Sequence, residues 1–416
     1  MPQLAPQLAR IALVSLALPI AAVACSSSST GTSTPTTTTP GAESVEYGMK
    51  LTIPAGAETH MCKLVTLPGD GGYVGKMEHT YTTGSHHLLL FRTDFKSIAA
   101  GLDQPNDCYE GPGGGVMSHV RAILYGSQEP KGENTLPTGI GLRVEPNEVF
   151  LLQAHYINPG ATPIEASVNV KLTMSDPDTV QQRAGVLFFY DPLISVQPGQ
   201  QAKAGMRCAI KSNITLLTGF SHMHKRGTGF EAFLDSESGA LTPTPFYTSS
   251  DWEHPQGLGA PMNIAAGSRI RFNCTYDNRN GTKAYYQGQS AENDEMCLFS
   301  GLYYPEMGVA ADFCFDGDML GTGTKSCRET SDCTSKCPRE GSPASLSQEN
   351  TDVDPCWQKC LVESCPSAWD AYLAQASCGG SKCKAECAVQ DSAECTACAI
   401  EKCGPQVDAC SASTCQ

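Results

Sequence analysis

The sequence predicts an all-β protein: two tandem antiparallel β-sandwich domains followed by a small, disulfide-rich, partly helical module. Three observations carry this. From Glu46 to about Cys314, short apolar or alternating runs are separated by Gly, Pro and Asn clusters, and 40 Gly and 27 Pro in 416 residues favour turns over long helices. That stretch, roughly 270 residues, is more than the ~100 residues of one sandwich. Beyond it the composition changes: 14 of the 21 cysteines lie from Cys327 to Cys415, and none of the nine histidines lies beyond His254.

In chain order, Ile11 to Ala24 is a mostly apolar stretch behind Arg10 that ends in Ala22-Val23-Ala24-Cys25, which predicts a signal peptide over residues 1–24, too short to span a bilayer. Small residues directly before a cysteine resemble the lipobox of bacterial lipoproteins, with Ala22 where leucine is usual. The resemblance implies lipidation of Cys25, hence an exported protein anchored at a bacterial cell envelope, in the periplasm or at the outer membrane or cell surface, and touching the membrane through its N-terminal lipid only. An ordinary secretory signal cut at the same place is the alternative. Residues 25–43 are Ser/Thr-rich with Pro35 and Pro40 and form a tether, because they cannot bury enough apolar surface to fold.

The strand-like runs Leu88 to Phe91, Val149 to Leu152, Ala184 to Tyr190 and Ile270 to Phe272 build the sandwiches. The segment around Tyr190-Asp191-Pro192 marks the seam, and the domains are expected at 44–186 and 187–316, with the cysteine-rich module at 317–416. In that module, Cys360-x4-Cys365 is expected to face Cys378-x4-Cys383, and Cys398-x4-Cys403 to face Cys410-x4-Cys415, as nested disulfides. Zinc is the rival at Cys395-x2-Cys398, but with no histidine nearby it needs four thiolates in an oxidising compartment.

Charge and composition exclude other classes. Lys plus Arg is 28 against 43 Asp plus Glu, a net charge of −15, with no basic run to track a phosphate backbone, so no nucleic-acid partner is expected. With 40% hydrophobic and 17% charged residues the chain can bury a core. Twenty-one cysteines point to an oxidising compartment, and setting Cys25 aside leaves an even 20. A monomer is expected.

Three histidine motifs carry the chemistry. Gly84-Ser85-His86-His87 opens the apolar run Leu88-Leu89-Leu90-Phe91; neighbouring strand residues point to opposite faces, so both imidazoles reach one ion only where the strand begins or bends. In Leu151-Leu152-Gln153-Ala154-His155-Tyr156, one imidazole sits in an apolar strand, where burial demands a partner. Taken singly, the first motif reads as surface and the second as a satisfied core histidine. In Ser221-His222-Met223-His224, the two histidines share one strand face and make a two-point clamp for a transition metal. Downstream, Met296 precedes Cys297 in Asn293-Asp294-Glu295-Met296-Cys297; beside such a clamp a thioether is a soft ligand that favours Cu(I).

These residues, in this order, resemble the copper type II, ascorbate-dependent monooxygenases, the family of peptidylglycine α-hydroxylating monooxygenase and dopamine β-monooxygenase. The resemblance covers roughly Ser44 to Phe315 and implies two jelly-roll sandwiches and two copper ions. His86, His87 and His155 are implied to hold an electron-transfer copper on the first domain, and His222, His224 and Met296 an oxygen-binding, catalytic copper on the second. It also implies the disulfides Cys62–Cys108, Cys208–Cys314 and Cys274–Cys297, and the segment Ala122 to Gly126 through Gly139 to Val144 looks like the family's approach to the third histidine. Two other bridges of the family's first domain have no cysteines here.

The activity so implied is hydroxylation of a C–H bond in a small organic substrate by O2, with an external reductant such as ascorbate. The peptide-amidating branch has arginine where this chain has Phe220, and Leu298 and Ser300 also depart from it, so peptide amidation is not expected. Phe220, Leu298 and Ser300, with His254 from Ser250-Asp251-Trp252-Glu253-His254, are the candidate substrate-cleft residues, although His254 reads more readily as a loop histidine satisfied by the backbone. His60, His79 and His119 have no partner at a recognised spacing. A non-catalytic copper-binding or storage lipoprotein is the alternative. A zinc-type hydrolase would need a carboxylate base, for which only Asp294 and Glu295 adjoin the ligands.

Overall fold

The computed structural model describes residues 43–111, 115–237, 240–314, 318–319, 323–338, 353–388 and 392–415. The expected signal peptide, Cys25 and all of the tether but Glu43 lie outside the described residues.

In the first half, the strand Ile164–Ser175 buries Ala166, Val168, Val170 and Leu172 and exposes the residues between them. This period of two gives it one core face, and it pairs with Ser44–Ile53 on one side and Gly72–Tyr81 on the other. A five-stranded sheet in the order Asn106–Asp107, Glu58–Thr66, Val149–Ile157, Ser85–Thr93, Val120–Ser127 completes the sandwich. Leu88, Leu90, Phe150, Leu152 and Tyr156 from this sheet meet Leu51, Val74, Val168 and Val170 from the other in one core.

Val149–Ile157 is buried on both faces up to Tyr156. Phe150, Leu152, Ala154 and Tyr156 enter the sandwich core, whereas Val149 and Leu151 join a second cluster with Leu64, Phe91 and the Cys62–Cys108 bridge. By alternation, Gln153 and His155 continue that second face. An ordinary strand rule thus turns His155 away from the sandwich core.

The second half sets a five-stranded sheet, Tyr247–Ser249, Gly227–Asp235, Arg269–Asp277, Gln201–Ala209 and Asp318–Met319, against strands that include Gln182–Tyr190, Phe220–Met223 and Cys297–Tyr304. Its core is aromatic, with Phe189, Phe230, Phe272, Tyr276 and Phe299 packed among Leu187 and Met206. Cys208–Cys314 and Cys274–Cys297 are bonded within this half.

One strand belongs to both halves. Gln182–Ala184 pair in parallel with Ile140–Leu142, and Gly185–Tyr190 pair antiparallel with Leu298–Tyr303. An 11-stranded sheet therefore runs through the molecule, and the boundary expected between residues 186 and 187 falls inside a strand. The end expected at residue 316 is also passed, because Asp318 and Met319 pair with Arg207 and Met206.

The tail is helical: Cys327–Thr334, Pro355–Val362, Pro366–Lys382 and Ala393–Ala412. Ser326 and Glu329 form a capping box on the first helix, and Asp354 caps the second with Pro355 at its first turn. The expected cysteine pairing is corrected here. Cys378-x4-Cys383 faces Cys398-x4-Cys403 through Cys378–Cys403 and Cys383–Cys398, while Cys360 bonds Cys333, Cys365 bonds Cys415 and Cys410 bonds Cys327. The physical reason lies in the helix ends: five residues of unbroken helix would turn the two cysteines of a motif about 140° apart, but Cys383 caps its helix and Cys403 sits at a kink, and there both members of one motif meet both members of the other. Cys398, Cys403 and Cys410 lie on one kinked helix and cannot close on each other.

Cys337–Cys356 and Cys387–Cys395 complete ten bridges, which use every cysteine among the described residues. Cys395 and Cys398 are consumed in them, so no thiolate is left there for zinc. The module docks on the second sandwich through Gln358, which is 1% exposed. Its Oε1 accepts from the backbone N–H of Ile194 at 3.2 Å and of Gln287 at 2.7 Å, and its Nε2 donates to the carbonyls of Val353 at 2.7 Å and Gln287 at 3.4 Å.

Candidate metal centre

Gly84, at φ 105°, takes a left-handed backbone that glycine adopts without strain, and the chain enters the strand Ser85–Thr93 from it. Ser85 then pairs with Tyr156 while His87 pairs with His155, so His86 is the extra residue of a bulge. The bulge breaks alternation at that point, and both imidazoles enter the same cluster. His86, His87 and His155 each offer a nitrogen within 4.8 Å of the others.

From the second half, Phe220–Met223 pairs with Cys297–Tyr304, setting His222 opposite Leu298 and Met223 opposite Cys297. Met223, Cys297 and Phe299 enter the core, and the alternate residues face the first half. His222 and His224 join His86 in a second group of nitrogens within 4.8 Å. The ring of His86 lies 4.9 Å from that of His222 and 5.5 Å from that of His224, and His87 lies 5.4 Å from His222. The five histidines are therefore one continuous cluster across the interface, in which His86 is common to both groups.

Four of the five rings are held from behind. His87 Nε2 donates to Gln153 Oε1 at 3.2 Å, His155 Nε2 to Glu58 Oε1 at 2.8 Å, His222 Nδ1 to Gln128 Oε1 at 2.9 Å and His224 Nδ1 to the Asp294 carbonyl at 3.3 Å. Each acceptor is an oxygen, which places the proton on that nitrogen and leaves the other as a lone pair. Among those other nitrogens, His87 Nδ1, His155 Nδ1 and His224 Nε2 are buried without a hydrogen-bond partner, as is His86 Nε2. Orphaned buried acceptors are costly, and a cluster of four is the arrangement of a metal ligand set. Burial first, and then the crowding of the imidazoles on each other, holds His86, His87, His155 and His224 well below the usual histidine range, and burial lowers His222 to about 4. Neutral imidazole is the form that binds metal.

Met296 is 9% exposed and continues the alternation of the cavity face with Leu298 and Ser300. All three line a cavity of about 300 Å³ between the halves, together with His87, His222 and Phe220. His254 is not part of it, which corrects its expected place in the cleft. Asp251 Oδ1 accepts the backbone N–H groups of Glu253 and His254, and the turn sends His254 to the surface, 57% exposed and 3.5 Å from Glu129. Trp252 instead approaches the cluster, its ring 5.4 Å from His86.

Sequence reasoning missed several partners. His60 stacks on His155 at 3.7 Å and its Nε2 meets the Gln289 carbonyl at 3.1 Å. Glu58, His60 and Cys62 share a strand face by spacing, but what sets His60 directly opposite His155 is the register of two strands far apart in the chain. His79 instead contacts Tyr125 and the Glu129 carbonyl, and His119 pairs with Asp94. Glu295, weighed as a hydrolytic base, is turned to Arg226, whose backbone N–H it accepts at 2.9 Å.

The ligand-type residues of the second half lie within a recognisable segment. Residues 183–319 match the C-terminal domain of the copper type II ascorbate-dependent monooxygenases. The matched segment contains His222, His224, Met296 and two of the disulfides, whereas His86, His87 and His155 precede it. No curated protein matches the sequence. Among solved structures, a peptide-N(4)-(N-acetyl-β-D-glucosaminyl) asparagine amidase is similar at 10% identity and TM-score 0.26, over 63% of this chain and 96% of that one. A secreted protein from Parabacteroides distasonis follows at 11% identity and TM-score 0.18, over 65% and 91%.

Proposed function

We propose that the protein is a copper-dependent monooxygenase that hydroxylates a C–H bond of a small organic substrate, drawing on O2 and a reductant such as ascorbate. The observation that carries this reading is the set of four buried, unpartnered imidazole nitrogens, spread over a monooxygenase C-terminal domain and the strands that face it. His86, His87 and His155 are the proposed ligands of the electron-transfer copper, and His222, His224 and Met296 those of the oxygen-binding copper. When bound, copper supplies the one-electron chemistry that activates O2 for insertion into a C–H bond.

The rest belongs to the chain. Gln153, Glu58, Gln128 and the Asp294 carbonyl fix the proton on the far nitrogen of four rings, so that the near nitrogen stays a ligand. The cavity holds the substrate beside His87, His222 and Met296. Export and a lipid anchor at Cys25 complete the proposal; the ten disulfides fit an oxidising compartment, and their count leaves Cys25 over.

The competing reading, a non-catalytic copper-binding or storage protein, draws on His86 being common to both groups, since a shared ligand can lower the number of ions held. Metal analysis of the copper-reconstituted protein separates them. Two equivalents per chain, with O2 uptake that needs both reductant and an organic co-substrate, support the monooxygenase. One equivalent or none breaks the two-copper assignment and favours the binding protein.

A further inference from the structure

The cavity that reaches His87, His222 and Met296 is walled by Leu89, Phe91 and Ile123 from the first half and Phe188, Leu298 and Phe313 from the second. Among the described residues, none of its lining side chains is Asp, Glu, Lys or Arg. Most of its polar lining is already engaged. Gln153 spends its oxygen on His87 and its Nε2 on the sulfur atoms of Cys108 and Met117. Gln128 spends its oxygen on His222 and its Nε2 on the carbonyls of Trp252 and Glu253. Ser300 donates to the Leu187 carbonyl, and Gln289 Oε1 accepts from Tyr109. The Gln153 and Gln128 amides are thus committed to positioning His87 and His222, and among the described lining residues the Gln289 amide nitrogen is the one side-chain amide donor left to greet a polar group.

A charged group carried into such a space loses hydration and gains no counter-charge from the side chains that wall it, a penalty that the apolar walls do not repay. A neutral molecule loses little and gains contact with aromatic and aliphatic side chains on every side. We infer that the substrate is a neutral, largely apolar molecule of about one ring and a short chain, with at most one hydrogen-bonding group. The inference rests on the monooxygenase reading of the same site and names the substrate class that reading leaves open. Phe220 is its specificity residue on the second-half wall, because it sets an aromatic ring against the cavity where a charged side chain would change which substrates fit.

The test uses three probes of one size and different charge: 4-phenylbutan-1-ol, 4-phenylbutanoate and 4-phenylbutan-1-amine. Equilibrium dialysis against the copper-free full-length protein is expected to give at least tenfold tighter binding of the alcohol than of either ion. Phe220→Arg is expected to reverse the order in favour of the butanoate; the wild-type series decides the matter even where that variant fails to fold. Equal binding of the three, tighter binding of either ion, or no binding of the alcohol overturns the inference. Ascorbate-dependent O2 uptake by the copper-loaded protein keeps the two levels apart. Binding of the alcohol without uptake counts against the monooxygenase and leaves the neutral cavity standing. Uptake driven only by an ionic probe does the reverse.

Discussion

Glu58 accepts the Nε2 proton of His155 at 2.8 Å and, through the same carboxylate, holds the Ser290 hydroxyl at 2.5 Å and the Ala291 backbone N–H at 2.6 Å. One first-half side chain therefore orients a histidine of the cluster and pins the second-half loop that leads to Met296. Removing such a partner typically costs 10–100-fold in metal affinity. Glu58→Ala is expected to weaken copper binding by about that factor, read by titration against a competing chelator, and Glu58→Gln, which keeps an acceptor oxygen, to recover part of it. Unchanged affinity in Glu58→Ala would show that His155 needs no such support.

Met296 tests the division of labour. Met296→Ile keeps volume and apolarity while removing the sulfur, so the melting temperature should move little. Hydroxylation should be abolished and copper at His86, His87 and His155 retained, checked by product analysis and copper content. Turnover in the variant would remove Met296 from the ligand set.

Gln358 tests the docking of the tail. Its amide meets two backbone N–H groups and two carbonyls, all buried. Gln358→Leu strands them at about 1–3 kcal/mol each. The variant should melt several degrees lower than the wild type, followed by circular dichroism; an unaltered melting curve would mean that the module is not anchored through this residue.

Burial raises Asp312 to about 7 from its ordinary 3.8. The folded protein therefore keeps a proton that the unfolded chain has lost over that interval, so this group's contribution to stability is fully present below about pH 4 and declines as pH rises through 7. Asp312→Asn, which cannot ionise, should flatten the stability profile between pH 4 and 7 relative to wild type, measured as melting temperature against pH. Parallel profiles would show that Asp312 titrates normally.

Much of the cluster was legible because strand alternation is local. Leu151, Gln153 and His155 share a face by spacing alone, as do Phe220 and His222. The His86 bulge was foreseeable only as a requirement, since a bulge is set by the partner strand and not by the residues that form it. His60 went unnoticed because its relevance lies in the register with His155, which is a long-range pairing. Whether His254 turns into the cleft or away from it was not legible, because two backbone hydrogen bonds to Asp251 decide where its loop turns. In the tail the facing of x4 motifs was legible, but their partners follow from which helices lie antiparallel.

The strand Gln182–Tyr190, paired to the first half at one end and to the second at the other, acts as a splint. Two sandwiches joined by a slack linker could swing apart and close again around a ligand; two that share a hydrogen-bonded strand cannot do so without unzipping a sheet. Changes in the spacing of the histidines are therefore left to smaller parts: the ring of His86 on its bulge, the turn that carries Trp252, and the loop that Glu58 pins. The spacing between the histidines of the two halves is in this sense written into a ladder of backbone hydrogen bonds.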